Sequence, residues 1–362
     1  MTERTGDYEW RGEGEGAEIV LYASEESALE QARPATLLPG IEGPVYAASS
    51  SSGFGMAAAS STHVAPDLVS PPVRGLLLVA GVSVGGLGVP SEEVPRLVYR
   101  NLSEVSLPRL GGVSGVGKFC DFGARRTAEH GLIEEEDLAF LESRKGESDA
   151  IGRRALEAGI RSWDRIGEVG VYAAREVFDA EGAEMLGIGS GALVLTVNAG
   201  AGELGPLSIA SHRHRIMNQV RSGDFAAELD LPAAPVGSEE AEDLLMAVNG
   251  ASNFADGRAA LTLYALREAL SEAFGDLTIR ASWTVGGFED RDGRMIQRQN
   301  LAGCGEEEAG ACGRSVVSGT GEMLWSVPTF EASEEEGVWP WEEAGLLERW
   351  VDLDPLGDGA KR

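Results

Sequence analysis

The sequence predicts a mixed α/β fold built as a single domain. Short apolar runs that end in glycine turns, VRGLLLVAGV at 73–82 and ALVLTV at 192–197, read as buried strands. A long amphipathic run from Ser238 to Phe274 reads as a helix. No repeat period and no Gly/Ser or Pro linker divides the chain. The expected organisation is a flexible acidic N-terminus, 1–16, followed by one domain over 17–362.

In chain order, EIVLYASEESALEQA (18–32) predicts a strand and then a helix, with Ser24 as N-cap. LLPGIEGPVYA (37–47) alternates turns with short apolar runs, and VSPPVRGLLLVAGVSVGGLGVP (69–90) predicts a buried strand with tight turns. Charged amphipathic patterns predict helices over Thr127–Arg144 and Asp149–Arg161. ALVLTV runs straight into the glycine-rich NAGAGELG. The long helix is capped by Ser238, carries Glu239, Glu240 and Glu242 at the positive end of its dipole, and stops at Gly275.

Composition narrows the function. The 362 residues hold 59 Asp plus Glu and 30 Lys plus Arg, a net charge of −29. Apolar residues at 43% are ample for a core. No stretch reaches the ~18–20 apolar residues of a membrane span, and the acidic start, MTERTGDYEWRGEGEGAE, is not expected to be a signal peptide. Three cysteines (Cys120, Cys304, Cys312) fit a reducing cytoplasm. The negative charge argues against RNA binding, because such affinity rests on cations that meet phosphates, and high cytoplasmic salt would soften that argument. Aromatics at 6% leave few platforms for base stacking.

The residues alone mark no site. His212 and His214 in SHRHRI would share one face of a strand, as a metal pair requires, but no third histidine lies near. Cys304 and Cys312 are too far apart for a CxxC pair. GFG (53–55), GGVSGVG (111–117) and GIGSG (187–191) read as turns; GVSGVGKF lacks the Ser/Thr that ends a phosphate loop, and there is no GxSxG elbow.

Taken in order, however, segments across nearly the whole chain resemble the RtcB-type RNA ligases. They are ALEQARPATLLPGIEGPVYA (28–47), GFGMAAA (53–59), VSPPVRGLLLVAGV (69–82), EVFDAEGAEMLGIGSGALVLTVNAGAGELG (176–205), LLMAVNGASNFADGRAALTLYALREALSEAFG (244–275) and EAGLLERWVDLDPLGDGAK (343–361). The resemblance implies an RtcB-like fold with a central cleft. It also implies joining of an RNA 3′-phosphate to a 5′-hydroxyl, with GTP and manganese as cofactors and a guanylylated histidine as intermediate.

The site residues depart from that pattern. Where the family carries Pro-Asp-x-His, this chain has Ala48-Ser49-Ser50-Ser51; where it carries Asp-x-Asn-Cys-Gly, Leu77-Leu78-Val79-Ala80-Gly81. Gly-Ser-Gly-Asn-His becomes Gly167-Glu168-Val169-Gly170-Val171, and His-Thr-Gly-Ser-Arg-Gly becomes Asn198-Ala199-Gly200-Ala201-Gly202-Glu203. A later His-Asn pair becomes Gly286-Gly287, and the nucleophilic Cys-His-Gly-Ala-Gly-Arg has no counterpart. Manganese needs carboxylate and imidazole donors, so no catalytic or metal-binding residue is assigned and no cofactor is expected. Lys361 resembles the family's terminal nucleotide-contacting lysine and is the one nucleotide-binding candidate, a solvated terminal lysine being the alternative.

The resemblance further implies that positions 49, 80, 171, 198 and 286 cluster in space. Two functional readings stand. One is a catalytically inactive paralogue that acts as a binding or regulatory partner of an intact RtcB-type ligase or of another protein. The other is an active RNA ligase, for tRNA splicing or RNA repair, or a nucleotidyltransferase with a rebuilt site.

Overall fold

A computed structural model describes residues 2–4, 9–22, 29–50, 53–109, 111–141, 144–163, 165–177, 183–184, 186–225, 230–291, 294–303, 315–318 and 349–355. The strands are β1 (Thr2–Arg4), β2 (Glu9–Glu13), β3 (Glu18–Tyr22), β4 (Val45–Ser50), β5 (Gly53–Ser61), β6 (His63–Val64) and β7 (Val73–Ser83). They continue with β8 (Glu168–Val177), β9 (Ala192–Gly200), β10 (Ala234–Pro235), β11 (Leu277–Arg291), β12 (Arg294–Gly303), β13 (Ser315–Ser318) and β14 (Arg349–Pro355). The helices are α1 (Leu29–Ala32), α2 (Val94–Leu102), α3 (Gly112–Phe122), α4 (Arg125–Glu129), α5 (Ser148–Ile151), α6 (Arg153–Trp163), α7 (Leu204–Ser222) and α8 (Glu239–Phe274). The fold is mixed α/β.

Among the described residues, twelve strands form one sheet in the order β1-β2-β3-β4-β5-β12-β11-β7-β9-β8-β14-β13. Pairing is antiparallel except for β3 with β4 and β13 with β14. β7 lies between β11 and β9, with Leu277 opposite Ala80 on one side and Asn198 opposite Gly75 on the other. Strand alternation gives this part of the sheet two apolar faces. Leu76, Leu78 and Ala80 pack with Leu195, Val197 and Ala199 against α8, whereas Leu77 and Val79 join Val194, Tyr172 and Trp283 on the opposite face.

α8 is the spine that crosses this sheet. Ser238 is extended, and its hydroxyl accepts the Ala241 amide at 3.3 Å, which caps the helix; Gly275, at φ +67°, ends it. The helix has 36 residues, a rise of about 54 Å. Every residue from Gly250 through Leu263 is buried, because α3, α5 and α7 pack on the side away from the sheet.

Several elements differ from expectation, each for a local reason. The helix expected over Thr127–Arg144 stops at Glu129: Gly131 turns the chain at φ +69°, and a 3₁₀ turn follows at Glu135–Ala139. The helix expected over Asp149–Arg161 is broken by Gly152 at φ +82° into α5 and α6. GGVSGVG, read as a turn, lies mostly in α3, where Val116, Phe119 and Cys120 bury one face and tertiary packing overrides the poor helix propensity of glycine. GFG lies in β5 rather than in a turn. The acidic leader contributes strands β1 and β2, the latter paired with β3. Ser24 lies outside the described residues.

Candidate functional site

The chemistry-bearing side chains that the fold does gather form a buried polar seam between the middle of α8 and the end of the sheet where β7 begins and β9 ends. Asp256 of α8 accepts the Arg74 Nε–H at 2.6 Å, with side chains 0% and 1% exposed. One turn earlier, Asn253 donates to the carbonyls of Cys120 and Arg144 at 2.8 Å each and accepts the Arg144 amide at 2.8 Å. Arg258 donates to the carbonyls of Gly200 and Arg165. Thr262 accepts the Gly167 amide at 2.8 Å. Arg144 reaches the Phe288 carbonyl at 3.2 Å.

Glycines let these backbones converge. Gly286 and Gly287 sit in the β11 bulge at φ +79° and +88°, and a Cβ on Gly286 would lie 2.4 Å from the Ser70 hydroxyl. Gly202 turns the chain from β9 into α7 at φ +58°. The seam therefore ties the long helix to the 144–146 loop, to the start of β7, to the end of β9 and to the 165–167 turn. Its partners are used within the protein. It holds backbone together and presents no activated nucleophile: the neighbouring Cys120 is buried, and burial pushes its thiol well above the ordinary range.

Sequence reasoning missed these residues, and a signal was available. Arg74 sits in PPVRGLLLV, and Asp256 and Arg258 sit in NFADGRAAL, charges inside runs that are otherwise apolar. Such charges are buried only when paired.

The expected cluster does not form. Ala80 lies five residues along β7 from Gly75, the partner of Asn198, which is about 17 Å at ~3.3 Å per residue. Ala80 and Val171 also belong to the cluster facing α8, whereas Asn198 alternates with Val197 and Ala199 of that cluster and so points to the other face. Val171 pairs with Leu195, three positions back along β9 from Asn198. Gly286 lies beside the start of β7, next to Val285, whose partner is Val73. Ser49 lies in β4, four strands from β7 in the sheet. Strand register and side-chain alternation thus separate positions that the resemblance implied should converge.

His212 and His214 lie on α7, not on a strand, so a two-residue step turns them some 200° apart. His212 is buried and its Nε2 donates to the Ala150 carbonyl at 2.8 Å, while His214 is exposed. Burial, partly offset by that hydrogen bond, holds the His212 imidazole below its usual value. Lys361, Cys304 and Cys312 lie outside the described residues. Among the described residues, no group of three or more His, Cys, Asp or Glu side chains is placed to share a metal ion. Asp256 is held by Arg74, and Ala80, Val171 and Gly286 carry no donor side chain, so these residues do not fit the manganese centre that the resemblance implies.

Comparison with curated proteins finds the tRNA-splicing ligase RtcB of several archaea. The Methanopyrus kandleri protein is 28% identical over 241 residues, covering 59% of this chain and 23% of the relative. The Thermococcus kodakarensis protein is 23% identical over 281 residues, covering 71% of this chain and 58% of the relative. This chain is similar to the RtcB ligases.

The Pyrococcus abyssi RtcB is 29% identical over 162 residues, 42% of this chain and 18% of the relative. The chain thus spans 58% or less of the length of these relatives. No protein-family model matches it. Among its described residues, no helix is long and apolar enough to cross a membrane.

Proposed function

We propose that this chain is a catalytically inactive paralogue of the GTP- and manganese-dependent RNA 3′-phosphate/5′-hydroxyl ligases, acting in the cytoplasm as a binding or regulatory partner. Its first partner would be an intact RtcB-type ligase. The observation that carries this reading is the donor set: in the order of the resemblance, Ala80, Val171, Asn198 and Gly286 take the places where the family pattern has ligands, and none of them carries a carboxylate or an imidazole. A metal-dependent transfer needs donors converging on one point and an activated nucleophile. No histidine follows His214 in these 362 residues to accept GMP. The net charge of −29 supports a protein partner over RNA.

The test mixes the chain with an intact RtcB-type ligase and follows the joining of two RNAs, one ending in a 3′-phosphate and the other beginning with a 5′-hydroxyl. The chain alone yields no product, and its addition changes the rate of the intact enzyme. Product made by the chain alone would instead support the active-ligase reading, and an unchanged rate would remove the ligase as partner.

A further inference from the structure

We draw no further inference here: the strongest candidate, the glycine-rich turn 200–205 that leads β9 into the first turn of α7, is a helix N-terminus whose glycines at 200, 202 and 205 make room for the side chains of Val73, Ser162 and Pro71 and whose cap is the carboxylate-bearing Glu203, and no second feature among the described residues points to an anion there.

Discussion

Arg74 and Asp256 are 182 residues apart in sequence, yet they meet through Nε and Oδ1 at 2.6 Å, both fully buried. The pair fastens the start of β7 to the middle of α8. Truncating Asp256→Ala leaves a buried guanidinium without that carboxylate and is expected to cost about 3–5 kcal/mol. The double variant Arg74→Met/Asp256→Leu is expected to lose far less, since it removes both desolvated charges together. Urea unfolding of the two variants checks the difference.

Gly257 looks in the sequence like an interruption of the long helix, but α8 runs through it unbroken. The glycine is there for packing: a Cβ would lie 2.5 Å from Phe119 Cδ1 on α3. Gly257→Ala gains up to about 1 kcal/mol in helix propensity and forces Phe119 aside, typically at a cost of 1–3 kcal/mol. The expected outcome is net destabilisation, read by thermal or urea unfolding. Pairing it with Phe119→Leu should restore part of the loss.

His212 gives the stability a pH dependence whose sign can be stated. Burial lowers its folded pKa, so between the folded value and the unfolded value of about 6.5 the unfolded chain binds more protons. Stability is full above about pH 6.5 and falls as pH drops through the folded value. Urea unfolding at pH 7.5, 6.5 and 5.5 should show that fall, and His212→Gln should flatten it.

The long helix was legible because cap, periodicity and terminal glycine agreed over Ser238–Gly275. β9 was legible because ALVLTV is continuously apolar and opens into glycines. The histidine pair was misread because six residues of SHRHRI carry no period that separates strand from helix; α7 is set by Leu204, Ile209, Ile216 and Val220, which bury one side of a longer segment. Gly131 and Gly152 broke expected helices through a backbone conformation that side-chain periodicity does not report. The seam was harder still, because Arg74 and Asp256 become partners only once the sheet is assembled. The family resemblance identified the relationship correctly but did not fix where single residues point: Ala80 and Asn198 lie on opposite faces of the sheet.

Metal content follows from the donor set. After dialysis the purified chain is expected to hold less than stoichiometric manganese or zinc by elemental analysis. The run Glu134–Asp137 puts its carboxylates along one turn, and Asp137 is already engaged by Arg267 at 2.6 and 2.9 Å. One tightly held transition metal per chain would contradict this and would direct attention to His214.

The central claim is loss of the transfer chemistry, and covalent uptake of GMP tests it most directly. The chain is incubated with manganese and GTP labelled at the α-phosphate, beside an intact RtcB-type ligase, and then resolved by denaturing electrophoresis. Removing one member of a coupled catalytic unit typically costs several orders of magnitude, so with no converging ligands among the described residues the chain should carry no label while the intact ligase does. A labelled band at the position of this chain would contradict the account. The attachment site, sought first at His63, His130, His212, His214, Lys118, Lys145 and Lys361, would then mark the rebuilt nucleophile.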